Sequence, residues 1–214
     1  MIGSTSLVTG GGGFIGSHLV DRLIQDGNNV AVIDDFTSGR PANLNVEAEL
    51  YEQDICSVEI AKIVDQVRPD TIFHLAAQIS VTSSVQDPVR DARINLMGSL
   101  NLMEAVRGST NPRFVFTSTG GAIYGEPKRL PVTENDPIGP ISPYAASKFA
   151  VEQYLATYRA AYGFDYSILR LGNVYGPRQN PHGEAGVIAI FVNAMLAGEP
   201  LRIFGDGTDQ RDYV

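Results

Sequence analysis

Tyr144 and Lys148 form the pattern in this sequence that most directly suggests chemistry. The residues around them predict a helix over 144–162, and side chains four positions apart lie on the same face of a helix. An ammonium group beside a phenol favours the ionised phenol and lowers the tyrosine pKa from its usual value of about 10. Such a tyrosine is suited to act as a general base toward an alcohol. The same spacing also occurs on ordinary surface helices, so the interpretation depends on the rest of the chain.

A second group with chemical potential is the run of hydroxyl residues Thr117, Ser118 and Thr119, which ends a predicted strand over 113–118. Ligands of open α/β sheets bind at the carboxyl ends of the strands, so at least one of these hydroxyls is expected to face a ligand. Thr119 is the candidate for donating to, or relaying a proton from, the oxygen that Tyr144 deprotonates. Ser118 is the competing candidate.

A run of glycines joins a predicted strand over 6–8 to a predicted helix over 14–26. Residues without Cβ leave room for phosphates against backbone N–H groups, and the helix dipole favours the same anions. The run fits two dinucleotide-binding spacings, Gly10-Gly13-Gly16 and Gly11-Gly13-Gly16. The tyrosine–lysine pair favours the first spacing, with Gly11 and Gly12 widening the turn.

Carboxylates after the next two predicted strands complete a dinucleotide-binding pattern. Asp34 follows the glycine run by about twenty residues, where a carboxylate accepts both hydroxyls of an adenine ribose. This favours NAD over NADP, whose 2′-phosphate a carboxylate repels. Asp35 could share the role, and the nearby Arg40 keeps NADP open as the alternative. Asp54 and Ile55 are expected to bracket the adenine, one by a hydrogen bond and the other by apolar contact.

These residues need a scaffold, and the pattern of the chain predicts one. Short β-branched segments alternate with longer segments of helical periodicity, which is typical of crossover units and a parallel sheet. The predicted strands are 6–8, 29–34, 50–53, 71–76, 113–118 and 166–171, and the predicted helices are 14–26, 58–67, 88–106 and 144–162. The fold class is therefore α/β: a Rossmann-like doubly wound parallel sheet with helices on both faces.

Composition narrows the classes of partner. The chain has 214 residues, 43% of them apolar, which is enough for one sizeable core, and its formal net charge is −8. No cluster of Lys and Arg is present, which argues against nucleic acid, and no apolar run reaches the ~20 residues of a membrane span. The single cysteine, Cys56, is expected to be an ordinary thiol. Because one cysteine cannot form an internal disulfide, we expect a reducing, cytoplasmic setting. The three histidines, His18, His74 and His182, have no metal-ligand spacing, and His74 is expected to be a core residue.

The last part of the chain leaves the strand–helix rhythm. A proline-rich loop is predicted over 126–143, and after Gly176 the sequence predicts a loop over 177–186, a helix over 187–197 and a strand over 201–204. We expect a cofactor-binding domain over 1–176 and the start of a substrate-binding lobe over 177–214. The apolar, uncapped end at Val214 predicts that this lobe is truncated.

Taken in order, the motifs resemble those of the extended short-chain dehydrogenase/reductases, and within them the UDP-glucose 4-epimerases. The motifs are the glycine run, Asp34, His74-Leu75-Ala76-Ala77, Thr117-Ser118-Thr119, Tyr144-Ala145-Ala146-Ser147-Lys148 and the segment 169–177. The resemblance implies an NAD-dependent enzyme that inverts C4 of a UDP-sugar through a 4-keto intermediate. Another sugar-nucleotide enzyme of this family, a decarboxylase or reductase, and a catalytically silent NAD-binding module are the alternatives. The resemblance also implies a homodimer formed through the helices over 88–106 and 144–162.

The resemblance further implies roles for individual positions. Tyr144, Lys148 and Thr119 match the catalytic set. The positions that match NAD contacts are Gly10, Gly13, Phe14, Ile15, Gly16, Asp34, Phe36, Ser38, Gly39, Asp54, Ile55, Leu75, Ala76, Ala77, Asn95, Tyr144 and Lys148. The positions that match substrate contacts are Thr119, Tyr144, Asn173, Val187 and Arg211, and the last would reach a phosphate.

Two departures from the family pattern bear on function. Thr119 stands where the epimerases often have serine, and Gly120-Gly121 stands where the related 4,6-dehydratases carry an acidic pair. Dehydration needs that acid and base, so the glycines argue against a dehydratase. The family's chains also continue past the Arg211-Asp212-Tyr213 motif into a lobe that closes over the nucleotide.

Overall fold

The fold is built on one parallel sheet. A computed structural model describes residues 3–109, 111–127, 129–181, 186–203, 205–208 and 210–214. Six parallel strands lie in the order β3-β2-β1-β4-β5-β6. The strands are β1 (Thr5–Thr9), β2 (Asn29–Asp34), β3 (Glu49–Glu52), β4 (Thr71–His74), β5 (Arg113–Thr119) and β6 (Tyr166–Leu171). The order reverses between β1 and β4, which confirms the predicted doubly wound arrangement.

Helices cover both faces of the sheet. They are α1 (Phe14–Gln25), α2 (Ile60–Val67), α3 (Val81–Gln86), α4 (Pro88–Ala92), α5 (Ser99–Arg107), α6 (Pro143–Tyr162) and α7 (Val187–Ala197). Successive residues of β1 belong to different cores because strand side chains alternate between faces. Leu7 packs in the core that contains α2, α5 and α6, whereas Val8 packs in the core beside α1.

The helix that carries the tyrosine–lysine pair is fixed at both ends. Ser142 precedes α6, and its hydroxyl accepts a hydrogen bond from the N–H of Ala145 at 3.2 Å. Pro143 occupies the first turn, where its missing N–H costs nothing. At the other end Gly163 adopts a left-handed conformation with φ +70°, as the sequence predicts. The direction of the catalytic face of α6 is therefore set by local capping as well as by packing.

Three elements differ from the sequence prediction. Helix α3 was not predicted, and the predicted helix over 88–106 is interrupted by a π-helical segment, Arg93–Gly98. The wider turn brings Gly98 against Ile55, where a Cβ would lie 2.6 Å from the Ile55 Cγ2 atom. The strand expected over 201–204 is not present at 201–203, and Phe204 lies outside the described residues.

The last described residues return to the sheet edge. The segment around Tyr213 forms a parallel bridge with Asn173, and the N–H of Asn173 donates to the Asp212 carbonyl at 2.9 Å. Arg178 forms an ion pair with Asp21 of α1 at 2.7 Å. The predicted division of the chain at residue 176 stays a prediction. Among the described helices, none has the length and apolar character needed to cross a membrane.

Candidate functional site

The predicted site residues meet at the carboxyl edge of the sheet. In the parallel register Thr9 pairs with Ile33 on one side and with His74 on the other, and His74 pairs with Phe116. The glycine run, Asp34, the 75–77 segment and Thr119 all follow or end these strands. One edge of the sheet thus collects the cofactor and catalytic candidates.

The glycine run forms a tight turn that side chains would fill. Gly10 has φ +75°, and a Cβ there would lie 2.7 Å from the Ala76 nitrogen. A Cβ on Gly16 would lie 2.1 Å from the Gly10 carbonyl oxygen. The sequence prediction for Gly11 needs refinement, because a Cβ there would lie 2.6 Å from Val32 Cγ1, so this glycine permits packing on β2. Gly13 gives α1 no side-chain cap, so the first-turn N–H groups, which include Phe14 and Ile15, are suited to an anion.

Asp34 is held at the end of β2 by backbone donors. Its two carboxylate oxygens accept hydrogen bonds from the N–H of Gly12 and the N–H of Phe36, both at 2.8 Å. Burial raises the pKa of Asp34, and these two bonds oppose the rise. An ionised carboxylate has about four acceptor positions, so lone pairs remain for ribose hydroxyls. Gly39 approaches closely, since a Cβ there would lie 2.9 Å from the Asp34 Oδ1 atom.

The neighbours of Asp34 do not share its position. Asp35 is exposed and accepts a hydrogen bond from the N–H of Thr37 at 2.9 Å. Ser38 and Arg40 are also exposed, and the N–H of Arg40 donates to the Gly12 carbonyl at 2.9 Å. The structure therefore brings Asp34, rather than Asp35, against the glycine turn.

Asp54 and Ile55 lie beyond β3 with different exposures. Asp54 is exposed, and its Oδ1 atom accepts a hydrogen bond from the N–H of Cys56 at 2.8 Å. Ile55 is a core residue with 5% of its surface exposed. Its side chain therefore offers little area for the apolar contact expected from the sequence.

The segment after β4 is held by two side chains of the core. Asn95 is buried, and its amide binds both backbone groups of Gln78: it accepts from the N–H at 2.8 Å and donates to the carbonyl at 2.9 Å. The N–H of Ala76 donates to the Thr9 hydroxyl at 3.2 Å. Leu75, Ala76 and Ala77 are thereby fixed beside the glycine turn.

His74 is a neutral core histidine, as the sequence predicts. Its Nδ1 and Nε2 atoms lie 2.7 Å from the Thr9 hydroxyl and 2.8 Å from the Ser99 hydroxyl. Burial, followed by the charge of Lys148, lowers the pKa of His74 to about 3. The residues that the structure describes include no group of three or more His, Cys, Asp or Glu side chains arranged to hold a metal ion.

Thr119, Tyr144 and Lys148 are gathered where β5 meets α6. The side chain of Thr119 lies close enough to that of Tyr144 to lower its pKa. Lys148 is 3% exposed, and its ammonium group donates to the Thr117 carbonyl at 3.0 Å and lies 4.8 Å from the centre of the Phe116 ring. Ser118, the competing candidate, is buried with no hydrogen-bond partner among the described residues. The structure thus selects Thr119 as the hydroxyl that meets the tyrosine.

The pKa of Tyr144 differs from the sequence prediction. Burial raises it to about 12, with a further rise from Asp91 and an opposing effect of Thr119. The expected lowering by Lys148 is not found, because the ammonium group is directed to the Thr117 carbonyl. Burial also lowers the pKa of Lys148 to about 8. Ionisation of this tyrosine therefore requires positive charge beyond that of Lys148.

Sequence reasoning missed Asp91, a polar residue near the tyrosine–lysine pair. Asp91 is buried and accepts hydrogen bonds from Gln78, Asn95 and Ser147. The available signal was the spacing of Asp91 four residues before Asn95, which puts two polar side chains on one face of an otherwise apolar helix.

The predicted substrate residues lie on separate elements. The amide of Asn173 donates to the Asp212 carbonyl at 3.0 Å, next to Arg211. Arg211 is exposed, and its guanidinium donates to the carbonyl of Gln210 at 2.7 Å. Val187 is the first residue of α7. Asn173 and the 211–214 segment are thus brought together.

Comparison with known proteins assigns the chain to a family and identifies similar proteins. The family model described as "NAD dependent epimerase/dehydratase family" matches residues 6–214. A UDP-glucose 4-epimerase of Mycolicibacterium smegmatis is 50% identical over 98% of this chain and 68% of its own length.

Two solved structures are similarly close. A UDP-glucose 4-epimerase of Thermotoga maritima, solved with UDP-glucose, superposes with a TM-score of 0.95 at 51% identity, covering 98% of this chain and 69% of that one. The UDP-glucose 4-epimerase of Thermus thermophilus, solved with NAD, gives a TM-score of 0.92 at 47% identity, with 98% and 70% coverage. This chain spans about two thirds of the length of these relatives.

Proposed function

Because the chain belongs to the NAD-dependent epimerase/dehydratase family, we propose that it inverts C4 of a UDP-sugar and interconverts UDP-glucose and UDP-galactose through a 4-keto intermediate. The observation that carries the proposal is that Thr119, Tyr144 and the buried Lys148 meet at the junction of β5 and α6, where Thr119 acts on the pKa of Tyr144 and the Lys148 ammonium binds the Thr117 carbonyl. This arrangement occurs in a chain half identical to proteins named UDP-glucose 4-epimerase.

The residues present fit NAD, the cofactor of the family. Gly10 and Gly16 let the turn pack tightly against the Ala76 backbone and against the Gly10 carbonyl, and the uncapped N-terminus of α1 that follows suits the diphosphate. The carboxylate of Asp34 would accept the adenine ribose hydroxyls, which disfavours a 2′-phosphate. The remaining contact positions, including Phe36, Asp54 and the 75–77 segment, are proposed on the same basis. When bound, NAD supplies a reversible hydride acceptor and a positive charge at the nicotinamide.

The chain's own residues would manage the proton and the sugar. Tyr144, as phenolate, would remove the proton of the 4-hydroxyl and later return it, and the Thr119 hydroxyl would orient the same oxygen. Lys148, with a pKa lowered by burial to about 8, is largely protonated at neutral pH and would stabilise the phenolate. Asn173, Val187 and Arg211 would contact the sugar nucleotide.

An epimerase is favoured over a dehydratase by the residues that follow β5. Gly120 and Gly121 supply neither a general acid nor a general base, and dehydration needs both. A Cβ on Gly120 would lie 2.9 Å from the Arg170 carbonyl, so the backbone packs too closely for a larger residue at that position.

Incubation of the chain with NAD and either UDP-glucose or UDP-galactose tests the proposal. We expect interconversion without net formation of NADH, measured by chromatography of the sugar nucleotides. Tyr144→Phe removes the proton acceptor and should lower the rate roughly a hundredfold to ten-thousandfold while NAD still binds. Tyr154→Phe, on an exposed part of the same helix, is the matched control and should keep the parent rate.

Two results would contradict the proposal. One is the absence of conversion of both sugars by a chain that binds NAD in calorimetry. The other is an equal rate for the parent and Tyr144→Phe. Net oxidation of NADH, supplied in place of NAD in a parallel incubation, would instead indicate a reductase.

A further inference from the structure

Asp91 is a buried carboxylate that joins three elements of the site. It is 1% exposed, and its Oδ1 atom accepts hydrogen bonds from the Gln78 side-chain amide at 2.8 Å and from the Asn95 amide at 3.0 Å. Its Oδ2 atom accepts from the Ser147 hydroxyl at 2.6 Å. Gln78 follows the segment after β4, Asn95 belongs to the π-helical segment, and Ser147 belongs to α6.

A carboxylate that is removed from water needs a compensating partner. Three hydrogen bonds satisfy part of this requirement, because bonds to charged acceptors are about twice as strong as neutral ones. No Lys or Arg of the described residues lies within ion-pair distance of Asp91. The Lys148 ammonium is the buried cation on which Asp91 acts electrostatically.

The other ionisable groups around Lys148 carry no unpaired negative charge. His74 of β4 is neutral, and Tyr144 of α6 is neutral until it is deprotonated. Glu152, one turn further along α6, is buried but paired with Arg170 at 2.6 Å. From β5, Lys148 meets the Thr117 carbonyl and the Phe116 ring, which are uncharged.

We propose that Asp91 is a positioning residue of the site: its bond to Ser147, the neighbour of Lys148 in α6, fixes this helix against the segment after β4 and holds a buried negative charge beside the lysine. Asp91 touches neither of the proposed reacting groups, so it acts through Lys148 and through the orientation of Tyr144. The role in the reaction rests on the proposed function, whereas the effect on Lys148 does not.

The electrostatic part has a definite direction. Burial lowers the pKa of Lys148, and the charge of Asp91 raises it. The same charge raises the pKa of Tyr144. Loss of the charge at position 91 should therefore lower the pKa of Lys148 further and leave less ammonium at neutral pH.

Asp91→Asn isolates the charge from the geometry. The Asn oxygen would accept from Gln78 and Asn95 as the carboxylate does. The Asn amide would donate to Ser147, whose hydroxyl accepts as well as donates. All three contacts are therefore retained in an isosteric side chain, with the bond to Ser147 reversed in direction and the negative charge removed.

The chain offers a direct measurement, because it contains only three lysines, Lys62, Lys128 and Lys148. Lysine labelled with carbon-13 at the ε-carbon gives one resonance for each, and Lys148→Met identifies the third. We expect the midpoint for Lys148 to lie near pH 8 in the parent and to fall below that value in Asp91→Asn. Asp87→Asn, an exposed carboxylate at the start of α4, is the control and should leave the midpoint unchanged.

Ser147→Ala tests the positioning part separately, because it cuts the bond to α6 and keeps the charge. The Lys148 midpoint should stay near that of the parent, while kcat falls severalfold with little change in KM. An unchanged Lys148 midpoint in a folded Asp91→Asn variant would overturn the electrostatic role, and an unchanged kcat in Ser147→Ala would overturn the positioning role. The lysine titration needs no turnover, so failure of the epimerase proposal leaves this result readable.

Discussion

At the residue scale, burial shifts the pKa values of the two ionisable groups of the site in opposite directions. The pKa of Tyr144 rises to about 12 and that of Lys148 falls to about 8, because each group is penalised in its charged form. The lysine nevertheless remains the cation at neutral pH and the tyrosine remains protonated. Under the proposed function, a bound cofactor with a positive charge would therefore be needed to lower the pKa of Tyr144.

Asp34 provides a prediction on cofactor affinity. Asp34→Asn keeps the shape of the side chain but replaces the carboxylate that would accept hydrogen bonds from the ribose hydroxyls. NAD affinity should therefore fall roughly tenfold or more. Discrimination against NADP should weaken in the same variant. Isothermal calorimetry with both cofactors measures these effects.

Asp35→Asn is the control, because Asp35 is exposed and binds the N–H of Thr37 instead of the glycine turn. Equal losses of NAD affinity in the two variants would contradict the assignment of the ribose contact to Asp34.

At the element scale, the turn between β1 and α1 depends on close backbone approach. Gly16→Ala would bring a Cβ to 2.1 Å from the Gly10 carbonyl oxygen, so α1 must move away from the turn. We expect a loss of stability of about 1–3 kcal/mol and much weaker NAD binding. Thermal unfolding and calorimetry check both effects.

Gly121→Ala is the matched substitution, since a Cβ there meets no atom within 4 Å. It should change neither stability nor NAD affinity. If Gly16→Ala kept the parent stability and NAD affinity, as expected for Gly121→Ala, tight packing of the turn would not be required for NAD binding.

At the scale of the whole molecule, the buried His74 links stability to pH. Its pKa is about 3 in the folded chain and about 6.5 when exposed, so below pH 6.5 the unfolded chain binds a proton that the folded chain does not. The stability associated with neutral His74 is complete above pH 6.5 and is lost as the pH falls toward 3. Between pH 7 and pH 5 the loss should be about 2 kcal/mol.

Denaturant unfolding at several pH values measures this loss. His74→Gln should be less stable at neutral pH but show a flatter dependence in that window. His18→Gln, on the exposed surface of α1, should keep the parent slope. An equal slope in the parent and His74→Gln would contradict the assignment.

The assembly of the chain is a separate proposal. We propose a homodimer through α4, α5, the π-helical segment between them and α6, because these helices expose apolar side chains that include Val89 and Met97. Met97→Glu should shift the mass in sedimentation velocity from dimer to monomer. Met195→Glu, at the same 58% exposure on α7, should leave the dimer intact. A parent chain that sediments as a monomer would refute the proposal.

Much of the fold was readable from the sequence because the signals are local. All six strands follow from strand-forming segments, and the end of α6 follows from Gly163, a glycine in the left-handed conformation, whereas the Ser142 cap was seen only in the structure. The residues of the glycine run, Asp34, Tyr144 and Lys148 were likewise identified by spacing along the chain. Helix α3 and the π-helical segment were missed because side-chain contacts with distant residues, such as Gly98 with Ile55, fix them.

The sequence by itself determined which groups are available and which edge of the sheet carries them, because parallel strands bring their carboxyl ends together whatever the details of packing. Only the tertiary structure decided how those groups are charged and which hydroxyl meets Tyr144. Burial and the long-range partners Asp91 and Thr119 shift the pKa values of Tyr144 and Lys148. Spacing along a helix predicts neither the charge of these groups nor the hydroxyl that meets Tyr144. Both depend on atoms that lie far apart in the chain and close together in the fold.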